Sequence, residues 1–219
     1  HIDYLSPVNE PQWNWDGSGQ EGTPARNEEI YALVRYLSHD LSQRDLTTKI
    51  LIGEAGTIGH AAINMASMGM PGDGRDDQAR FFFSTDSPFY IGDLPNVENT
   101  ISAHSYHSVW PLSRQVEYRQ GVQRALQAAN ANLGYWMSEY CILQRNDELG
   151  GGGGRDLGMN TALYVARIMH NAANISIASC CSVGHDGCFV WAIKAANAIA
   201  HHGLFEGYNN SSAPRANHY

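Results

Sequence analysis

Short apolar runs alternate with longer stretches whose apolar residues recur every three or four positions, and few folds accept such a pattern. The runs cover residues 1–8, 49–53, 100–103, 133–138 and 175–178, and each is short and apolar enough to be a buried strand. Helical stretches lie between and after them. After Thr23-Pro24, an N-cap followed by a first-turn proline, the residues Ile30, Leu33, Val34, Leu37 and Leu41 form one face. Further helices are predicted over 76–83, over 114–130 with Val122, Ala125, Leu126 and Ala129 inward, over 157–173 and over 189–202. Strands that alternate with helices in this way form a parallel sheet joined by right-handed crossovers.

Composition narrows the function. With 219 residues and 43% apolar content, the chain has enough material for one globular core. A net charge of -8 with no basic stripe argues against a phosphate-backbone partner and suits a neutral or weakly charged substrate. No apolar run is long enough to span a bilayer, and no signal peptide opens the chain. Three of the four cysteines fall in Cys180-Cys181-x6-Cys188, with His185 between; the fourth is Cys141. Adjacent cysteines face one ion poorly and the spacing is not that of a zinc pair, so neither metal nor cofactor is expected. Asn174, Asn209 and Asn210 open triplets that accept N-linked glycans in a secreted protein.

Two carboxylates occupy informative places. Glu10 follows the first apolar run and Glu139 ends the fourth, where strand gives way to loop. In parallel α/β barrels that end of the sheet is the active-site face. The loop after Glu10 carries Trp13 and Trp15 among glycines, and exposed indoles there suit the C–H faces of a pyranose. Glu54 also stands at a strand end, as a substrate contact or as half of a structural ion pair.

The segments Asn9-Glu10-Pro11, Ala103-His104-Ser105-Tyr106 and Ser138-Glu139-Tyr140, each at a strand end, resemble the retaining glycoside hydrolases built on (β/α)8 barrels. Within that group the chain resembles family 30 over residues 1–180, and 181–219 match poorly. The run Pro7-Val8-Asn9-Glu10-Pro11-Gln12-Trp13 with Gln20-Glu21-Gly22 is most similar to the endo-β-1,6-galactanase branch. The resemblance implies a secreted enzyme, acting on a polysaccharide by double displacement, with Glu10 as acid/base and Glu139 as nucleophile. It implies that Asn9 bonds the sugar's 2-hydroxyl, that Tyr106 orients Glu139, and that His104 lines the same strand end. In the family the two carboxylates stand on barrel strands four and seven, the same offset as here. The expected fold is therefore an α/β TIM barrel of which strands four to eight are present, with an N-terminal barrel segment missing. After the fifth strand this chain has Ser179-Cys180-Cys181-Ser182-Val183-Gly184-His185 where the family presents tryptophans. Alternatives are a β-1,6-glucanase or xylanase of the same family, or an inactive carbohydrate-binding pseudo-enzyme.

Overall fold

The structure, a computed structural model, describes residues 2–16, 22–63, 73–140, 148 and 159–173. In chain order the elements are β1 (Tyr4–Leu5), α1 (Asn27–Gln43), β2 (Lys49–Ala55), α2 (Ile58–Ala62) and α3 (Gln78–Phe83). They continue with β3 (Val97–His104), α4 (Leu112–Ala129), β4 (Gly134–Glu139) and α5 (Met159–Ala173). The four strands form one sheet in the order β1-β2-β3-β4, and every neighbouring pair is parallel. The expected strand 175–178, the helix 189–202, the glycine run 150–154, the three glycan acceptors and all four cysteines lie outside the described residues.

Strands β2, β3 and β4 form where the sequence is β-branched or aromatic and their central residues are buried. Ile50, Leu51 and Ile52 of β2 and Ile101 and Ala103 of β3 are buried, together with Tyr135 and Met137 of β4. Helix α1 presents Ile30 and Val34 to this core, with Leu37 and Leu41 packed at its margin. Leu33, expected on the same face, is instead exposed at 38%, because it lies at the edge of the buried stripe. On α4, Val122 and Leu126 are buried and Ala125 and Ala129 pack against them, as the spacing predicts.

Several boundaries depart from the sequence reading; β3, for one, begins at Val97 rather than at residue 100. The first strand shrinks to two paired residues, since Pro7 cannot donate to a ladder and the Ser6 hydroxyl takes over, donating to Leu51 O at 3.3 Å. Helix α1 starts at Asn27 rather than beside Thr23. Thr23 N–H donates to Asn9 O at 3.4 Å and Ala25 N–H to Pro11 O at 3.2 Å, so this stretch is tied to the Glu10 loop before it can wind. The five-residue α2 is not visible in the periodicity. It is too short to show one.

The C-terminal ends of the strands are irregular, and those irregularities aim the side chains. Register shifts fall between Ile50 and Ile52, between Ile52 and Ala55, and between Ala103 and His104. Such bulges bend a strand and redirect what it carries. At the β2 bulge Gly53 adopts φ +119°, and a Cβ there would lie 2.2 Å from the Ser102 carbonyl oxygen. Only glycine fits. Ser102 Oγ accepts the Glu54 N–H at 3.0 Å and donates to Ile52 O at 3.1 Å, replacing ladder bonds the bulge removes. Tyr4 and Trp136 meet edge to face, ring centroids 4.7 Å apart, although they stand on the first and fourth strands of the sheet. The sheet is thus curled, with its strand ends turned toward a common centre.

Gly53→Ala should lower stability by about 3 kcal/mol or more, combining a disallowed backbone with a steric clash against β3. Denaturant unfolding checks this. A loss below about 0.5 kcal/mol would mean the bulge relaxes freely and has no part in aiming Glu54.

Candidate active site

Three carboxylates converge on one imidazole. His104, the last residue of β3, is completely buried, and both of its ring nitrogens are engaged. Nδ1 lies 2.8 Å from Glu10 Oε1 and Nε2 lies 3.1 Å from Glu54 Oε2. Glu139 Oε1 is 3.7 Å from the same Nδ1 and accepts a 2.7 Å hydrogen bond from the Tyr106 hydroxyl. The side chains of Glu10 and Glu54 are 10% and 13% exposed, whereas that of Glu139 is 49% exposed and faces solvent.

The backbone around the two buried carboxylates is strained. Glu10 and Glu54 sit in the left-handed region at φ 44° and 46°. Few non-glycine residues adopt that region, and those that do cluster at functional sites. The two are also joined through their main chains, Glu10 N–H donating to Glu54 O at 2.8 Å. Glu10 O accepts from Trp13 N–H at 3.2 Å and from the Trp15 indole N–H at 3.3 Å. Arg75 holds the same loop from outside, its Nη1 donating to Pro11 O, Gln12 O and Asn14 Oδ1. Gln12 answers by donating to Arg75 O at 2.9 Å and accepting the Gly56 N–H at 3.0 Å.

Behind Tyr106, Arg119 of α4 is buried and donates to Ser108 O at 2.8 Å, to Gln115 O at 3.3 Å and to Ser105 Oγ at 3.1 Å. These bonds fix the turn that follows β3. Burial lowers the guanidinium's affinity for its proton, and Tyr135, Tyr140 and Tyr164 counter that effect. Such an arginine has no sequence signature beyond a polar residue in an inward helical position. Arg75 is equally hidden, inside a run that reads as loop.

The protonation pattern follows from this packing. Burial disfavours the charged form of His104, but hydrogen bonds to Glu10 and Glu54 and the charges of Glu139 and Glu54 outweigh it, raising its pKa from 6.5 to about 9. It is a cation at neutral pH. Burial opposes ionisation of Glu54 as well. There the hydrogen bond and charge of His104 and the hydroxyls of Ser102 and Ser138 win, holding the carboxyl below its ordinary range. Ser138 Oγ faces that carboxylate without reaching hydrogen-bond geometry. One donor atom each from Glu10, His104 and Glu139 lie within 4.8 Å of one another, a grouping wide enough for a metal ion. A protonated imidazole whose nitrogens both donate to carboxylates offers no lone pair to one.

Of the residues singled out from the sequence, the structure gathers Glu10, Glu54, His104, Tyr106 and Glu139. Asn9 is half-buried beside Glu10. Trp13 is half-buried, its ring edge-to-face with His60 at 5.4 Å and its indole over Gly56. Trp15 is half-buried as well and serves the Glu10 carbonyl. Both indoles thus have packing or hydrogen-bonding work on the protein side of the loop.

A family model for O-glycosyl hydrolase family 30 matches residues 1–184. The chain belongs to that family. Its fold is α/β with a parallel sheet. Among solved structures it is similar to "conserved exported protein from Bacteroides fragilis", with 33% identity and a TM-score of 0.72. That alignment covers 82% of this chain and 36% of the other, so the chain spans about a third of its structural relative. Comparison with curated proteins gives no match. Among the described residues no helix is long and apolar enough to cross a membrane.

The raised pKa of His104 sets a stability window. Its contribution is complete below about pH 6.5, the ordinary value, and is lost as pH rises through about 9. Glu54, held low, contributes fully above about 4.5 and loses its contribution on acidification. The melting temperature of this family 30 domain should therefore be highest between about pH 4.5 and 6.5 and decline toward pH 9. In His104→Gln the alkaline decline should flatten. A wild-type melting temperature that is level from pH 6.5 to 9 would contradict the charged imidazole.

Proposed function

We propose that the protein is a retaining glycoside hydrolase that cleaves β-1,6-linked galactan internally, as part of a secreted enzyme. The observation that carries the mechanism is the approach of Glu10 and Glu139, whose carboxylate oxygens come within 4.8 Å. Retaining enzymes hold their carboxyl groups about 5–5.5 Å apart, whereas inverting enzymes leave about 6.5–9.5 Å for a water. The shorter separation favours double displacement.

In this reading Glu139, exposed and oriented by Tyr106, attacks the anomeric carbon. Glu10 gives its proton to the glycosidic oxygen as the bond to the leaving sugar breaks. A glycosyl ester on Glu139 results. Water then attacks that ester, Glu10 takes the water's proton, and Glu139 leaves as a carboxylate. Asn9 bonds the 2-hydroxyl, and Trp13 and Trp15 border the entrance on the Glu10 side. The four strands correspond to strands four to seven of a (β/α)8 barrel, a reading supported by their parallel order and by the contact of Tyr4 with Trp136. The galactan preference rests on the likeness of residues 7–13 and 20–22 to that branch of the family. Export is supported by the description of the Bacteroides fragilis relative.

With the enzyme expressed as its full polypeptide, Glu139→Gln should abolish turnover of β-1,6-galactan, because no ester can form. Glu10→Ala should lose far more activity on natural galactan than on aryl glycosides, whose leaving groups need little protonation. Equal losses on both substrates would remove Glu10 from the acid role. An inverted first product, read by NMR of the anomeric proton, would overturn the retaining mechanism. Faster cleavage of β-1,6-glucan or xylan would replace the substrate and keep the chemistry.

A further inference from the structure

The mechanism above uses two carboxylates, and the site holds three. Glu54 is the extra one. It is nearly as buried as Glu10, its backbone is strained, and its carboxylate points at the far side of the imidazole from the reacting pair. A buried carboxylate is costly unless a cation faces it. His104 is that cation, at 3.1 Å.

We propose that Glu54 is a positioning residue: its carboxylate keeps His104 as a fixed imidazolium, and that one cation serves Glu139 and Glu10 in turn as negative charge passes between them. The inference rests on the retaining reading of Glu10 and Glu139. Before the first step the negative charge is on Glu139, 3.7 Å from His104 Nδ1. As the Glu139–sugar bond forms and the sugar–oxygen bond breaks, the proton of Glu10 moves to the departing oxygen. Glu139 is then a neutral ester and Glu10 the carboxylate, 2.8 Å from the same nitrogen. The second step reverses this. His104 neither gains nor loses a proton in the cycle, and its position between the two makes either charge distribution tolerable.

The arrangement explains why both nitrogens of His104 are capped by carboxylates. Without Glu54, a proton on His104 would be shared only with the reacting pair, and Nδ1 could surrender it to Glu10. With Glu54 on Nε2, the imidazolium retains a counter-ion that takes no part in the chemistry. Among the described residues, the ionisable groups facing His104 are Glu10 from the loop after β1, Glu54 from β2, Glu139 from β4 and Tyr106, whose ring stands edge-to-face at 5.8 Å. A bulge with Gly53 at its corner and Ser102 as prop places Glu54 in this position. The raised pKa of the imidazole agrees with the geometry.

The test combines NMR titration of the imidazole, labelled in the full polypeptide and assigned through its own backbone, with pH-dependent kinetics of Glu54→Gln. In wild type the His104 midpoint should be near 9. In Glu54→Gln, which keeps an acceptor and removes the charge, it should move toward the ordinary value of about 6.5. At pH 8 such a move leaves roughly 30-fold less imidazolium. The kcat of the variant relative to wild type should accordingly fall by a similar factor between pH 5.5 and pH 8, with KM unchanged. A wild-type midpoint near 6.5 overturns the proposal without any variant and without turnover, even if the assignment of Glu10 and Glu139 is also wrong. A midpoint still above 8 in Glu54→Gln overturns it as well. A raised KM with a parallel kcat profile would make Glu54 a substrate contact instead. Glu54→Asp, which restores the charge, should recover part of the raised midpoint, so a variant that fails to fold does not end the test.

Discussion

The buried imidazolium of His104 is the interaction on which the rest of the site depends. Three carboxylates brought this close repel one another, and in a low-dielectric setting they would either take up protons or push the strand ends apart. One cation between them makes the arrangement stable. It also links three strands and a loop, because its partners come from β2, β4 and the segment after β1. The site and the sheet's curvature are therefore mutually dependent. The side chains meet only if the strand ends converge, and the converged ends are held by the side chains.

Backbone irregularity supplies the fine placement. A regular parallel strand sends successive side chains to opposite faces, so Glu54 and the core residue Ile52 would share a face. The bulges on β2 and between β3 and β4 break that rule where it matters. Left-handed conformations at Glu10 and Glu54 complete the redirection. Such conformations persist because surrounding bonds over-determine them: Arg75 and Gln12 around the Glu10 loop, Ser102 beneath Glu54, and Arg119 behind Tyr106. The strain at the site is thus balanced by ordinary hydrogen bonds around it.

Two tryptophans that the sequence singled out do structural work around the site. Trp15 donates to the Glu10 carbonyl, and Trp13 wedges against Gly56 and His60. Burial keeps His60 neutral and it shares a 2.8 Å hydrogen bond with Thr57, so this second histidine closes a packing contact without adding charge near the carboxylates. The site's positive charge is consequently concentrated in His104.

The sequence by itself determined the parallel α/β order, because strand and helix periodicities are local and survive any tertiary arrangement. It also determined that Glu10, Glu54, His104, Tyr106 and Glu139 stand at or beside strand ends, since each follows an apolar run directly. It misjudged Leu33 and the start of α1, where a neighbouring loop and the edge of a buried stripe override local preference. It left Glu54 open between substrate contact and ion pair, and it gave no sign of Arg75 or Arg119. Only the tertiary structure decided these, for one physical reason. Whether a carboxylate faces a sugar or a cation, and whether an arginine is solvated or braces a loop, depends on residues that are distant in sequence. Glu54 and His104 are fifty positions apart along the chain and 3.1 Å apart in the fold.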